Sequence, residues 1–508
     1  MPQNNDLGNQ YFQDLLSRSF FQKSSKDESR FVMHDLINDL AQVVAGDICS
    51  KLEGNKQQKF SNRTRHSSYV ISRFDTMKKF EAFNQVKSLR TFLPLGLSGA
   101  HLTNVVLVDL LPRLGYLRVL SLSGYRITEL PDIFENLKHL RYLNLSGTLI
   151  KCLPDSLCTL YHLETLLLKM CFKLQKLPSK MGNLVKLYYL DIRGANLIEK
   201  MPFGIDKLTN LQRLSDFIVG KGDGHHIKEL KYLSNLKGDF RLSGLENVNG
   251  QDAGEAKLNE KQGIDRLVLH WSKKFEKDSR NKEDEEWVLD SLCPPKELEQ
   301  LVIENYGGAK FSTWIADSSF ENMLSLELRN CKNCKSLPSI ASMPNWEEWD
   351  PCEGDEQASK FPSLRELSIK ECPHLLGRLP THLQSLQKLV IYECRRLAVT
   401  FLKCVSLQNI SKFDISAEKA LLRLANSENF NISHWKELKS LSQNGLSLVG
   451  HRFITIADCP QLVSLETEER LQLDKIPGVE SLEIVDCERL NRLPEVLHAF
   501  TFLTRKNF

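Results

Sequence analysis

Excess charge of either sign is scarce: 67 Lys and Arg meet 64 Asp and Glu, leaving +3 over 508 residues. That balance gives no reason to expect nucleic acid or an anionic membrane as a partner. No run of eighteen apolar residues occurs, so no membrane span is expected. The start, MPQNNDLGNQYFQ, has no basic n-region and no apolar h-region, which argues against a secretory signal. Four N-x-S/T sequons begin at Asn62, Asn144, Asn409 and Asn431; without a secretory route they are chance matches. The thirteen cysteines, an odd number, then read as reduced thiols. Catalytic signatures are missing too: no G-x-x-x-x-G-K-[ST] phosphate loop, no G-x-S-x-G elbow and no H-E-x-x-H. VGKGDGHH (219–226) has glycines and a lysine in the wrong order for a phosphate loop. It reads as a turn, with His225 and His226 as polar loop residues.

What the chain does have is self-similarity. LRVLSLSGYRITELP starts at Leu117, LRYLNLSGTLIKCLP at Leu140, LETLLLKMCFKLQKLP at Leu163 and LYYLDIRGANLIEKMP at Leu187; LQRL follows at Leu211. The steps are 23, 23, 24 and 24 residues. In L-x-x-L-x-L the leucines fall on one face of a short strand and the intervening residues on the other. One such strand cannot bury its leucines alone, so the units must stack. This is a leucine-rich repeat. The expected fold is an α/β solenoid, a horseshoe with a parallel inner sheet. Strands are expected near 118–122, 141–145, 164–168, 188–192, 365–369 and 387–391, with Leu120, Leu143, Leu166 and Leu190 in one column.

The pattern resumes as LEQLVI at Leu298, MLSLEL at Met323, LRELSI at Leu364, LQKLVI at Leu386, a weaker HRFITI at His451 and VESLEI at Val479. Cys171, Cys331, Cys372, Cys394, Cys459 and Cys487 each follow the last strand aliphatic by three residues. That is the position where a small side chain turns inward, so these six are expected to be buried, reduced and unbridged. Cys331-x-x-Cys334 with Cys352 and Cys372 could suggest zinc, but the second C-x-x-C is missing and two of the four already hold repeat positions. KKFEKDSRNKEDEEW (273–287) has mixed charge and reads as a solvated loop; residues 400–445 read as eroded repeats.

At the other end, RFVMHDLINDLAQ (30–42) passes from a β-prone run into a helical period at His34-Asp35. Asp35 sits where an N-cap belongs, and His34 beside a helix N-terminus is placed to meet an anion.

Met33-His34-Asp35, preceded by YFQDLLSRSFFQ (11–22) and followed by repeats of the L-P type, resembles the plant intracellular nucleotide-binding leucine-rich-repeat immune receptors of the coiled-coil class. Other stretches agree: LQRLSDFIVGK (211–221), LKGDFRLSGLENV (236–248), AKLNEKQGIDRLVLHWS (256–272), NYGGAKFSTWI (305–315) and MPNWEEWD (343–350). The resemblance implies that residues 1–50 are the end of a winged helix carrying the MHD motif, and that this chain is the C-terminal part of a receptor. It implies ADP or ATP as cofactor of the full-length receptor, with none expected in this chain. His34 and Asp35 would be its nucleotide-sensing residues. LPSI at 337–340 nearly abuts MPNWEEW, where relatives would carry further repeat.

The remaining boundaries are read as a linker and start cap at 51–84, regular repeats at 85–215, irregular repeats at 216–297 and Cys-type or degenerate repeats at 298–508. The implied function is recognition and autoinhibition in plant defence, without enzymatic activity. Partners would be a pathogen effector or host protein and the receptor's own nucleotide-binding domain. The expected place is the cytoplasm, with the nucleus and the periphery of the plasma membrane as alternatives. Candidate partner-binding residues are Lys169, Tyr189, Asp191, Arg193, Glu327, Arg329, Glu366 and Lys370, which alternate with buried aliphatics on the expected concave face. Competing readings are a non-functional truncated receptor, a repeat scaffold, a remnant ATPase and an extracellular repeat receptor. The absent phosphate loop argues against the third, and the absent signal and span against the fourth.

Overall fold

A computed structural model describes residues 4–24, 31–52, 60–96, 99–132, 134–222, 224–273, 281–317, 319–336, 363–375, 388–392, 394, 412–416, 429–433, 439, 453–465 and 481–490. The chain divides into two compact units, Met1–Leu174 and Gln175–Phe508. Among the described residues, no helix is long and apolar enough to cross a membrane.

The first unit opens with helix Asn4–Ser17 and an antiparallel pair, Phe21–Lys23 with Phe31–Met33. Phe12 of the helix meets Phe21 and Phe31 of the pair at centroid distances of 5.3 and 4.9 Å, which ties helix to ribbon. Helix Asp35–Ala45 follows. The parallel sheet then begins earlier than expected. Cys49–Leu52 pairs with His66–Val70, which lies inside the stretch read as linker and start cap, and His66–Val70 pairs in turn with Thr91–Leu95. The early coils were hidden because they lack the leucine signature: Ser67, Tyr69 and Phe92 take its inward places.

From Thr91 the ladder runs on through Val119–Ser121, Tyr142–Asn144 and Thr165–Leu167. Phe92, Leu120, Leu143 and Leu166 are register neighbours, and all are fully buried. Each leucine is thus covered by the coils before and after it.

The second unit holds a strand pair, Tyr189–Asp191 with Arg213–Leu214, in which Leu190 meets Leu214. It also holds an eleven-stranded parallel sheet. That sheet starts with Asp216–Ile218, Lys237–Ser243 and Gly263–His270, so the stretch read as irregular is paired strand by strand. Gln300–Glu304, Ser325–Arg329, Glu366–Lys370 and Lys388–Tyr392 continue it, and the order of strands follows the chain to Ser481–Val485. The expected strands at 365–369 and 387–391 thus lie one residue further on. Gly244 closes the turn after Lys237–Ser243 at φ +80°, and a Cβ there would stand 2.0 Å from the Val219 carbonyl oxygen, so no other residue fits.

After many strands the chain turns through a left-handed residue: Met170, Asn330, Glu371, Asp458 and Asp486 all have φ between 52° and 60°. The next residue in each case is a cysteine. Cys171, Cys331, Cys372, Cys394 and Cys459 are fully buried, and all are free thiols. Their Sγ atoms meet main-chain carbonyls: Cys171 donates to Leu145 O at 3.2 Å and Cys394 to Ile369 O at 3.5 Å, each in the preceding coil. Cys334 does the same with Gly308 O at 3.2 Å. Burial holds the Cys171 and Cys334 thiols above their ordinary pKa, which keeps them protonated donors. Cys487 departs from expectation in being half-buried. Cys352 lies outside the described residues.

Two predictions follow from burial. Replacing Leu143 with Asp puts a charge into a site sealed on both sides; the loss should exceed the about 2–5 kcal/mol typical of a buried Leu→Ala change. Urea denaturation followed by circular dichroism measures it, and an unchanged midpoint would refute the stacked column. In native alkylation with mass spectrometry, exposed Cys49, Cys152 and Cys293 should label first. Cys487 should follow, and the five buried ladder thiols should stay unlabelled until the protein is denatured.

Candidate recognition surface

The His34 turn comes first. His34, at φ −61° and ψ 143°, is the N-cap of helix Asp35–Ala45, and its Nδ1 accepts the Leu36 amide at 3.3 Å. The cap was expected at Asp35; instead Asp35 is the first helical residue, where its carboxylate faces the positive helix end. Both residue types can cap, but His34 has the extended backbone that a cap needs. With Nδ1 accepting, a neutral ring carries its proton on Nε2, leaving a donor free on an exposed side chain. The helix itself buries no residue. Leu36, Leu40, Val43 and Val44 are 73, 54, 79 and 77% exposed.

The strand faces carry the other candidates. Lys169 lies two residues past strand Thr165–Leu167 and is exposed, so it belongs to the turn rather than the strand. Arg193 likewise stands beyond Tyr189–Asp191. It reaches back to Asp191: Nη2 at 2.5 Å from Oδ2 and Nε at 3.0 Å from Oδ1. Tyr189 donates its hydroxyl to Asp191 Oδ2 at 3.1 Å. Asp191 was expected at an outward position, but it is only 3% exposed, with Arg193 and Tyr189 hydrogen-bonded to its carboxylate. Burial pushes the Asp191 carboxyl up, while the Arg193 contacts more than offset this and hold it below the ordinary value.

Glu327, Arg329 and Lys370 belong to a larger network. Glu327 accepts from Arg329 at 2.6 Å and Lys370 at 3.0 Å. Arg329 also reaches Glu304 at 3.0 Å, and Glu304 takes Arg241 at 2.9 Å. Strand Gly263–His270 lies between those of Arg241 and Glu304, so the guanidinium spans it. Arg241 Nε stands 3.7 Å from Asp216, which accepts from Ser243 Oγ at 2.8 Å. Glu366 pairs separately with Lys388 at 2.9 Å. Asp216, Arg241, Ser243 and Glu304 were not among the expected residues, although the same alternation marks Arg241 and Glu304 as outward.

Asp216 is the odd member. Burial raises its carboxyl to about 7, since Ser243 and Arg241 compensate incompletely and Glu304 repels it. A carboxyl raised by folding costs stability as pH climbs from its ordinary value near 4 to about 7. Asp216→Asn should therefore raise the unfolding free energy at pH 8 by on the order of 2 kcal/mol and leave it nearly unchanged at pH 4. Denaturation at both pH values tests this; an equal effect at each would place the cause in packing, not in charge.

Comparison with known proteins joins the two regions. The family model described as the disease resistance protein winged helix domain matches residues 2–41, which include His34 and Asp35. Leucine-rich-repeat models match 115–172 and, as R13L1/DRL21 repeats, 227–350. The fold and these matches define a leucine-rich-repeat protein that carries the winged-helix segment of plant disease-resistance proteins. The chain is a relative of that family. The disease-resistance RPP13-like protein 1 of Arabidopsis thaliana is 34% identical, with 96% of this chain and 52% of that protein aligned. Disease resistance protein RGA2 of Solanum bulbocastanum is 30% identical, with 86% of this chain and 44% of that protein aligned. The chain thus spans about half the length of these relatives. Among solved structures, a leucine-rich-repeat protein of Leptospira interrogans matches at 19% identity and a TM-score of 0.43, over 79% of this chain and 91% of that one.

Proposed function

We propose that this chain is the recognition and autoinhibition part of a plant immune receptor that works inside the cell. It acts by binding proteins and not as an enzyme. Its strand faces would meet a pathogen effector or a host protein, and its winged-helix segment would dock on a nucleotide-binding domain. The observation that carries the reading is the joining, in one chain, of the winged-helix match containing His34 to repeats of the disease-resistance type. The uncovered apolar face of helix Asp35–Ala45 supports it, since four large aliphatic side chains in water suit a surface that another domain covers.

ADP or ATP would be the switch ligand of the complete receptor. The fit of this chain to that ligand is limited to one group. His34, with Nδ1 held by the Leu36 amide, would offer its Nε2–H to a phosphate oxygen. The sequence has no phosphate loop to supply the remaining contacts.

Two substitutions separate capping from sensing. Asn is a good N-cap residue but has no imidazole. His34→Asn should leave the chain's melting unchanged, and His34→Ala should lower its stability by about 0.5–1 kcal/mol. Both should weaken ADP-dependent association with the nucleotide-binding half of a relative, supplied in trans. A charge-assisted hydrogen bond of about 1.5–3 kcal/mol predicts a loss of roughly ten- to a hundredfold. Calorimetric titration measures the affinity. If both variants associate like wild type, His34 senses no nucleotide.

A further inference from the structure

Two ladder cysteines stand in neighbouring coils with one of them open to solvent. Strands Phe453–Ala457 and Ser481–Val485 pair in register, with Ala457 beside Val485. The pairing runs on into the turn, where the Asp458 amide donates to Val485 O at 3.0 Å. Asp458 and Asp486 then take the same left-handed conformation, each at φ 52°. Cys459 and Cys487 follow them, and both turns close alike: the Leu462 amide donates to Cys459 O at 3.1 Å and the Leu490 amide to Cys487 O at 3.1 Å. Arg489 Nη1 donates to Gln461 Oε1 at 2.6 Å, a further tie between the two turns. Two congruent turns held in register set their cysteines at the spacing of neighbouring strands, about 4.8 Å. A disulfide spans Cα atoms about 4.4–6.8 Å apart, so the backbone separation suits one; the Cβ atoms have only to close by a few tenths of an ångström, to about 4.5 Å.

The two thiols differ in access and in charge. Cys459 is fully buried, and its Sγ meets Ala457 O at 3.4 Å. Cys487 is half-buried, and its Sγ reaches back to Ile456 O of the preceding coil at 3.9 Å and to Val485 O at 3.5 Å. As a thiolate Cys487 is held by the Cys459 thiol. That hydrogen bond lowers its pKa below the ordinary thiol value, helped by the Cys459 amide, while burial and the Asp458 and Asp486 carboxylates oppose the shift. The thiolate is the form that reacts with peroxide. Elsewhere in the ladder these properties do not coincide. The Cys372 amide meets Cys394 Sγ at 3.4 Å, but both thiols are sealed from solvent. Cys49, Cys152 and Cys293 are exposed but hold no ladder position.

We propose that Cys487 and Cys459 are an oxidation site, a peroxide-reactive thiol and its resolving partner, which close a disulfide between neighbouring coils. The Cys487 thiolate attacks one oxygen of hydrogen peroxide, the O–O bond breaks, and hydroxide leaves and takes up a proton. Sulfur is oxidised to the sulfenic acid as the peroxide is reduced. Cys459 Sγ then attacks Cys487 Sγ; its proton goes to the departing hydroxyl, and the S–O bond breaks with loss of water. In sum two thiols and one peroxide give one disulfide and two waters. The bond joins residues 28 apart in the chain and fastens one coil to the next, so that the two separate less readily under oxidising conditions.

Peroxide is little larger than water and reaches a half-buried sulfur that a bulkier alkylating reagent reaches slowly. The full chain is treated at neutral pH with a few equivalents of hydrogen peroxide, blocked with iodoacetamide in denaturant, digested and read by mass spectrometry over time. Wild type should yield the Cys459–Cys487 cross-linked peptide at least about fivefold faster than Cys49, Cys152 or Cys293 is oxidised, and dithiothreitol should reverse it. In Cys459→Ser the resolving thiol is gone, and dimedone should trap Cys487 as the sulfenic acid. Cys487→Ser should give no cross-link and leave Cys459 unoxidised at the same dose. The wild-type time course decides the matter even where a variant folds poorly. Oxidation of Cys487 no faster than that of the exposed cysteines overturns the assignment. So does a wild-type Cys487 that ends as sulfinic acid, or bridged to a second chain, without the Cys459 link.

Discussion

Everything in this molecule depends on the backbone ladder between successive parallel strands. A coil such as Val119–Ser121 presents one large inward leucine. The ladder fixes the next coil at strand spacing and in register, so Leu120 lies between Phe92 and Leu143. Burial of one coil is thus a property of its neighbours, which is why the fold exists as an array. The same register sets the surface. Whatever alternates with the buried residues is stacked in columns too, and a column of one residue type acts as a single extended feature.

The turn after the strand shows how sequence enforces this geometry. The inward cysteine can reach the preceding coil's carbonyl because the residue before it takes a left-handed conformation. Asn, Asp and a few other residues tolerate that conformation at modest cost. Where Asn occupies the turn, the arrangement also links coils laterally: Asn330 donates to Asn305, which donates to the Trp271 carbonyl. A thiol suits the inward place because it is small, apolar and still a weak donor.

Much of the sheet was legible in the sequence, and the failures have definite causes. The L-x-x-L-x-L signature places strands wherever leucine fills the inward sites. It is silent for His66–Val70 and Thr91–Leu95, where serine and aromatics fill them. It is also weak across Lys237–Ser243 and Gly263–His270, and the second of these coils carries a long insertion before the next strand, Gln300–Glu304. The helix start was placed one residue late because cap preference was read from residue type, while the backbone angles of His34 decide it. The outward candidates Glu327 and Lys370 were picked by alternation, which says which way a side chain points. It cannot say what neutralises it, because these partners are 43 residues apart and only the register brings them together.

Net charge hides the most consequential difference between the two units. The balance of 67 basic against 64 acidic residues describes a chain with no electrostatic purpose. Locally the charges are sorted. Between residues 60 and 145 there are twelve Lys and Arg against six Asp and Glu, and of the strands described there only Phe74–Asp75 carries one of the six. On the second unit's sheet, every arginine in the network has a carboxylate within reach, so its charge is spent internally on register and rigidity. On the first unit's sheet the arginines face one another. The array repeats arginine just before the strand in four coils, Arg65, Arg90, Arg118 and Arg141, and the fifth coil sets Glu164 against the last of them.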